Sequence, residues 1–315
     1  MTVTELLAPP PHILDARLAP VFEGAALRRL CTGAAWSEGP VWLPQDESVL
    51  WSDIPNNRML RWSPADGMSV WRDQVDFTNG HALDGAGNLL HCSHGQRAIV
   101  RTPQVAGLLR ADTPDEVLVS HFQGKRLNSP NDVVVQRNGC IWFTDPPYGI
   151  LGDREGHKAP REQDGNYVFC YDPSDGQLHK ASGFLEEPNG LAFSPDESLL
   201  YVSDTSAALR PDGTGHHHIV VFDVRGHALE DPRVFARVSP GVPDGFRVDH
   251  RGRIYTSSED SVQVLHPDGT LLGKIPVPEK VGNVTFGGPR RDTLFIAAST
   301  SLYSIVLNTR GAPRP

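Results

Sequence analysis

Six acids and amides are spaced along the chain as if each opened the same short piece of structure: Glu38, Asn79, Asn131, Asn189, Asp244 and Asn283. Each is followed by an apolar run, a polar turn, a second apolar run and a closing polar residue. In NSPNDVVVQRNGCIWFTDPPYG (128–149), Asn131 precedes Val133-Val134-Val135, Gln136–Gly139 is the turn, and Ile141-Trp142-Phe143 ends at Asp145. The offsets from opener to closing residue are 15, 15, 14, 15, 15 and 16, and successive openers stand 41, 52, 58, 55 and 39 residues apart. All six openers carry a carbonyl or carboxylate oxygen, and none is Lys, Arg, His or Cys. Converging on one point, they would suit one hard divalent cation, calcium first, with magnesium, manganese or zinc as alternatives. Glu38 and Asp244 would balance its charge, and Asn131 and Asn189 would complete the protein's share. A metal with open coordination polarises a carbonyl oxygen and activates water, and a neighbouring carboxylate can serve as general base. There is no G-x-S-x-G nucleophile elbow. The inventory therefore permits metal-assisted hydrolysis of an ester-like bond.

Two plainer readings stand beside this one. Asn79, Asn189 and Asp244 each precede Gly, and such pairs also make turns. A polar channel filled only by water is the rival physical picture. Glu38-Gly-Pro, Asn131-Asp and Asn283-Val do not fit a turn dipeptide, so the shared register across six segments favours the ring.

Positioning six such residues requires six equivalent elements. Short β-branched and aromatic runs joined by Asn-Gly or Pro punctuation read as strands in hairpins. Repeats of this length built from short strands predict an all-β fold, a six-bladed β-propeller with a central metal-binding channel lined by the innermost strands. Residues 1–20 are Pro-rich and read as irregular, 21–309 as a single propeller, and 310–315 as a tail that reads as disordered. VFEGAALRRLC (21–31) could supply the outer strand of the last blade and so close the ring. The segment 149–166, charged and strand-poor, reads as a loop over the channel mouth or a floppy insertion. His216-His217-His218 lie on an exposed strand start or loop, because adjacent strand residues point to opposite faces.

The chain has 315 residues and a formal charge of -9, from 29 Lys plus Arg against 38 Asp plus Glu. That balance opposes nucleic acid or an anionic membrane surface as partner. No stretch approaches the roughly 18 apolar residues of a membrane span. The N-terminus lacks a basic start followed by an unbroken apolar run, so the expected location is cytoplasmic. Cys31, Cys92, Cys140 and Cys170 form no C-x-x-C pair and read as reduced, buried thiols rather than a disulfide framework or zinc site. No obligate protein partner is indicated.

The motifs Ser-Glu-Gly-Pro (37–40), Asn-Ser-Pro-Asn-Asp (128–132), Phe-Thr-Asp-Pro-Pro-Tyr-Gly (143–149), Pro-Asn-Gly-Leu (188–191), Pro-Asp-Gly (243–245) and Gly-Asn-Val-Thr-Phe-Gly-Gly (282–288) occur in this order. Together they resemble the gluconolactonase/regucalcin (senescence marker protein) family, and more closely its bacterial gluconolactonase branch. The resemblance implies a six-bladed propeller, a divalent cation in the channel and hydrolysis of a sugar lactone, or a related small lactone, to the hydroxy acid. It implies Glu38, Asn189 and Asp244 as metal ligands, Asp244 also as general base, and Asn131 near the metal or substrate. The regucalcin branch has a substrate-binding Arg where this chain has Ser129, so that role is not carried over, and Arg126 or Asn128 is the substitute considered. Asn79, Asn283 and Tyr148 complete the expected substrate-binding set. His81 and His94 fall near the mouth, where a hydrogen-bonded structural role is the commoner outcome. Asp145 and Asp204 read as blade-capping groups or as support for the ligands. A calcium-dependent hydrolase of organophosphate type and a propeller used only for binding are the competing functions. The acidic pair Glu38 and Asp244 speaks against the second.

Overall fold

The computed structural model describes residues 4–5, 10–210 and 212–313. Among the described residues six antiparallel sheets of four or five strands follow one another along the chain, with a two-stranded ribbon, His121–Phe122 and Lys125–Arg126, between the second and third. Their innermost strands are Ser37–Leu43, Thr78–Leu83, Val133–Val135, Pro188–Phe193, Phe246–Val248 and Val281–Gly287. Each inner strand pairs with the next strand in sequence, and each sheet is then built outward. The fold is thus the expected six-bladed propeller.

The hydrophobic clusters explain why the blades stand side by side. Alternation places one set of apolar residues on each face of a sheet, and each face is covered by the neighbouring blade. Trp51 and Trp62 of blade one meet Phe295 and Leu302 of blade six, while Leu50 and Met59 meet Leu89 of blade two. Phe143 and Phe169 of blade three face Leu90 and Ile99 of blade two, and Trp142 faces Leu200 and Phe222 of blade four. Tyr201 and Ile219 pack on Phe246 and Ile254 of blade five, and Tyr255 on Phe286 of blade six.

Closure uses the N-terminal part of the chain. Arg28–Thr32 forms the outer strand of blade six, pairing with Ser301–Val306. Of the segment 1–20, the described residues 4–5 and 10–20 are less irregular than expected. Thr4–Glu5 extends blade six, His12–Ile13 extends blade five, and Ala16–Phe22 makes two short helical turns. The physical reason is burial: Leu18, Val21 and Phe22 are at most 6% exposed against the core between blades five and six. Each such side chain contributes about 1.5–3 kcal/mol, enough to hold a short segment in place. The tail also differs from expectation. Gly311 bridges to Asp249, and the Ala312 amide donates to the Val248 carbonyl at 2.9 Å. Residues 314–315 lie outside the described residues.

The closing aspartates hold the chain as it enters each blade. Asp53 Oδ1 accepts the Ala35 amide at 2.8 Å, Asp145 Oδ2 the Asn128 amide at 2.8 Å, and Asp204 Oδ2 the Glu186 amide at 2.8 Å. In each case the acceptor ends the second strand and the donor precedes the inner strand of the same blade. Around the axis the blades touch through backbone. The Gly190 amide donates to the Asp244 carbonyl at 3.0 Å, and a Cβ on Gly190 would overlap that carbonyl. Replacing Gly190 with Ala should destabilise the fold by about 1–3 kcal/mol, the usual cost of overpacking. The measurement is the thermal midpoint, expected to fall by several degrees.

Candidate functional site

The openers sit where strand pairing breaks. Register shifts fall between Glu38 and Val41, Thr78 and His81, Pro188 and Leu191, and Val281 and Asn283. In blades three and five, pairing of the inner strand begins only at Val133 and Phe246, just after Asn131 and Asp244. A bulge or strand start re-aims its side chain, and here the result is a ring. Ser52 Oγ of blade one donates to the Asn79 carbonyl at 2.8 Å, and the Gly80 amide of blade two to the Asn131 carbonyl at 2.9 Å. Thr144 Oγ1 of blade three donates to the Asn189 carbonyl at 2.7 Å. Gly190 reaches Asp244, the Gly245 amide donates to the Gly282 carbonyl at 2.8 Å, and Gly282 packs against Glu38 Oε1. The circuit therefore runs from blade one through blade six and back.

Side chains converge across this circuit. Glu38 is 4% exposed; its Oε2 accepts the Gly39 amide at 3.0 Å, and its Oε1 is buried without a partner. Burial, then the charge of Asp244, pushes the Glu38 carboxyl well above its ordinary value. Burial pushes Asp244 up to about 7, against the opposing pull of Lys280 and a hydrogen bond from Asn189, while Glu155 and Asp132 raise it further. Asn189 Nδ2 lies 3.3 Å from Thr205 Oγ1, and Thr205 Oγ1 is 2.6 Å from the Tyr148 hydroxyl. Tyr148 thus stands beside the ring. Its hydroxyl is held protonated chiefly by burial, with the Asp244 charge adding to the effect. Asn283 Nδ2 lies 3.5 Å from Asp132 Oδ2, and Asn79 Nδ2 lies 3.4 Å from His94 Nε2.

Two expected residues are not brought to the ring. Arg126 donates to the Gln96 carbonyl at 2.9 Å, and its backbone amide to Glu162 Oε2 at 2.8 Å. Asn128 Nδ2 is spent on the carbonyls of Asp145 and Gly165 and on Asn166 Oδ1, at 3.0–3.2 Å. Both residues anchor the loop that starts after Tyr148, and neither has a described contact with Glu38 or Asp244. That loop is a packed cover rather than a floppy insertion. The Glu155 carbonyl accepts His94 Nδ1–H at 2.7 Å, and His157 meets the Phe77 ring edge-on at 5.2 Å.

Sequence reasoning missed the cations. Arg247, on the inner strand of blade five, reaches across the channel to Asp132 Oδ2 of blade three at 3.2 Å. Lys280 lies 3.5 Å from Glu259 and acts on Asp244 through its charge. An arginine between Phe246 and Val248 was the one visible signal. Farther along the axis Arg247 lines a cavity of ≈ 130 Å³ with His81, Val134, Arg291 and Gly311–Pro313. His81 faces this deeper cavity instead of the mouth, and its Nδ1–H donates to the Gly39 carbonyl at 2.6 Å.

An orphaned carboxylate oxygen, two desolvated acids and surrounding amide oxygens fit a hard cation. They are poorly explained by a plain water-filled channel, since Glu38 Oε1 is sealed from solvent and lacks a partner. The histidine triplet does not form a second centre. His216 and His218 stack at 4.6 Å, while His217 Nδ1–H donates to the Val238 carbonyl at 2.6 Å.

Residues 36–300 match the family described as the SMP-30/gluconolactonase/LRE-like region. The chain belongs to this family. A gluconolactonase of Zymomonas mobilis is 32% identical over 300 residues, covering 88% of this chain and 80% of that protein. A pentonolactonase of Haloferax volcanii is 26% identical, covering 85% and 83%. A solved gluconolactonase from Xanthomonas campestris is 40% identical with a TM-score of 0.87, covering 98% of both chains.

His81 and His94 carry a pH signature. Burial lowers His81 from 6.5 to about 3 and His94 to about 4, so the folded state binds fewer protons than the unfolded one in that window. The stability from keeping them neutral is complete above 6.5 and is lost as pH falls toward those lower values. His81→Asn should flatten the fall in unfolding free energy across this range, measured by denaturant titration at successive pH values.

Proposed function

We propose that the protein is a lactonase that opens a gluconolactone-like sugar lactone, or a related small lactone, to its hydroxy acid. The observation that carries the reading is the buried pair Glu38 and Asp244, set among amide oxygens at the mouth of the channel, with Glu38 Oε1 making no close hydrogen bond and its carboxyl feeling only a weak pull from the Asn283 amide. The family match and the names of the relatives point the same way, and they favour lactones over phosphorus esters or a purely binding role.

Glu38, Asn189 and Asp244 would hold one divalent cation, most suitably calcium, with Asn131 beside them. When bound, such a cation supplies a positive centre for the lactone carbonyl and for the negative charge that develops on it. The remaining chemistry belongs to the chain. The Asp244 carboxylate takes a proton from the attacking water and returns it to the ring oxygen as the acyl–oxygen bond breaks. Without the ion, burial raises Asp244 to about 7 in place of 3.8; beside a bound cation it would fall again and stay the carboxylate that a general base must be. The charge of Lys280 favours the ionised form of Asp244. Asn189 orients Asp244, and Thr205 fixes Asn189 against Tyr148. Asn79 and Asn283 stand on the wall of the same ring and can hydrogen-bond the substrate's hydroxyls. The loop over the mouth, held through His94 and Glu155, limits bulk water at the reacting bond.

Turnover of an aldonolactone panel should vanish in EDTA and return with a divalent ion, with calcium tested first. Full activity in verified metal-free protein would defeat the metal-dependent reading. Asp244→Asn should lower kcat by at least about a hundredfold, within the usual range for acid–base assistance. Turnover close to wild type in a folded Asp244→Asn sample would move the base elsewhere.

A further inference from the structure

A second cluster of metal-ligating side chains lies between blades three and four, at the blade end remote from the channel mouth. Cys140 precedes the second strand of blade three, Ile141–Asp145, and Cys170 lies on the third, Tyr167–Asp172. Trp142 pairs with Cys170, and Cys170 with His179 on the outer strand Gln177–Ser182. Directly paired residues and residues two apart share a face of a sheet. Cys140, Cys170, Asp172 and His179 therefore all face blade four. From blade four, His227 comes down on them out of the turn between His218–Arg225 and Ala228–Arg237.

The contacts are close. The ligand atoms of Cys140, Cys170 and His227 lie within 4.8 Å of one another. The edge of a tetrahedron around zinc with sulfur ligands is about 3.8 Å, so small side-chain rotations suffice. Asp172 Oδ2 accepts from His227 Nε2 at 3.1 Å and also contacts the Cys140 thiol. His179 stacks on His227 with ring centres 4.3 Å apart, and its Nε2 is buried without a partner. Both thiols are buried, and neither forms a disulfide. A core position needs none of this chemistry. Valine or leucine would fill the same space, as they do at Val202 and Leu200 in the same cluster.

We propose that Cys140, Cys170 and His227 bind a soft or borderline cation, Zn2+ in the first instance, with the Asp172 carboxylate as fourth ligand or as the group that orients His227. The donor set differs in kind from the channel, where acids and amides offer only oxygen. Sulfur and imidazole select zinc or copper(I) over calcium. Bound there, the ion ties a hairpin of blade four to the second and third strands of blade three. Its role is structural, because all the protein ligands can be occupied and no reacting group stands beside them.

The test uses the full-length protein stripped by chelator and titrated with Co2+, then with Zn2+. Cobalt should give thiolate-to-metal charge-transfer absorption at one equivalent, and zinc should abolish it. Oxygen ligands in the channel and the histidine triplet cannot produce that band, so Asp244→Asn should retain it whatever becomes of the lactonase reading. The double variant Cys140→Ser/Cys170→Ser should lose the band and one equivalent of zinc while keeping lactone turnover. Should that variant fail to fold, His227→Ala, altered in a turn, should weaken cobalt binding at least about tenfold. Folded wild-type protein that shows no thiolate band at saturating cobalt, or a band unchanged in His227→Ala, overturns the proposal.

Discussion

Two carboxylates from the blades on either side of blade six are forced together in a place that solvates neither. Glu38 enters on blade one and Asp244 on blade five; burial raises the proton affinity of both, and the charge of Asp244 raises that of Glu38 further. Left alone, such a pair opposes folding, since desolvated like charges cost several kcal/mol unless a positive charge or a proton relieves them. The nearby cations relieve it only in part. Arg247 is engaged with Asp132, and Lys280 shares its charge with Glu259. The propeller must therefore supply enough stability elsewhere to hold an unfavourable centre, and its inter-blade cores are where that stability resides.

Those cores also fix the geometry. Each inner strand carries its opener at a break in pairing, so the side chain is released from the sheet and aimed at the axis. The following segment then packs backbone to backbone against the next blade. At Gly245 a side chain would overlap the amide of Asn283, so the close approach of blades five and six depends on that glycine. The site thus depends on the inter-blade cores, and closure of blade six by Arg28–Thr32 is part of what holds Glu38 beside Asp244.

What could be read in the sequence follows from this division of labour. The six openers and their hairpins were legible because each unit is local: an apolar run, a turn and a capping acid lie within about one hairpin's length. Asp53, Asp145 and Asp204 stand 15, 14 and 15 residues after their openers because each binds amides just ahead of its own inner strand. Apart from the oddity of an arginine between Phe246 and Val248, the roles of Arg247 and Lys280 were not legible, because their partners come from other blades and no spacing announces a contact across a channel. Arg126 and Asn128 misled for the opposite reason. Their nearness in sequence to Asn131 says nothing of direction, and both turn toward the covering loop. The N-terminal segment was underestimated because its prolines hide the few apolar residues that dock. Cys140, Cys170 and His227 lie on three separate strands or turns across two blades, so their likeness to a metal site appears only once the blades are side by side.

The two clusters differ in how they bear on the fold, and the difference follows from charge. The channel gathers desolvated acids whose mutual repulsion the Asn189 and Asn283 amides, Arg247 and Lys280 offset only in part, so occupancy there should matter to stability as well as chemistry. The outer cluster gathers neutral thiols, imidazoles and one acid that already bond to each other, Cys140 to Cys170 and His227 to Asp172. Its empty form carries little electrostatic penalty. The centre under electrostatic stress is therefore the one at the axis, where every blade converges and where relief of that stress can be coupled to the binding of a substrate's carbonyl oxygen.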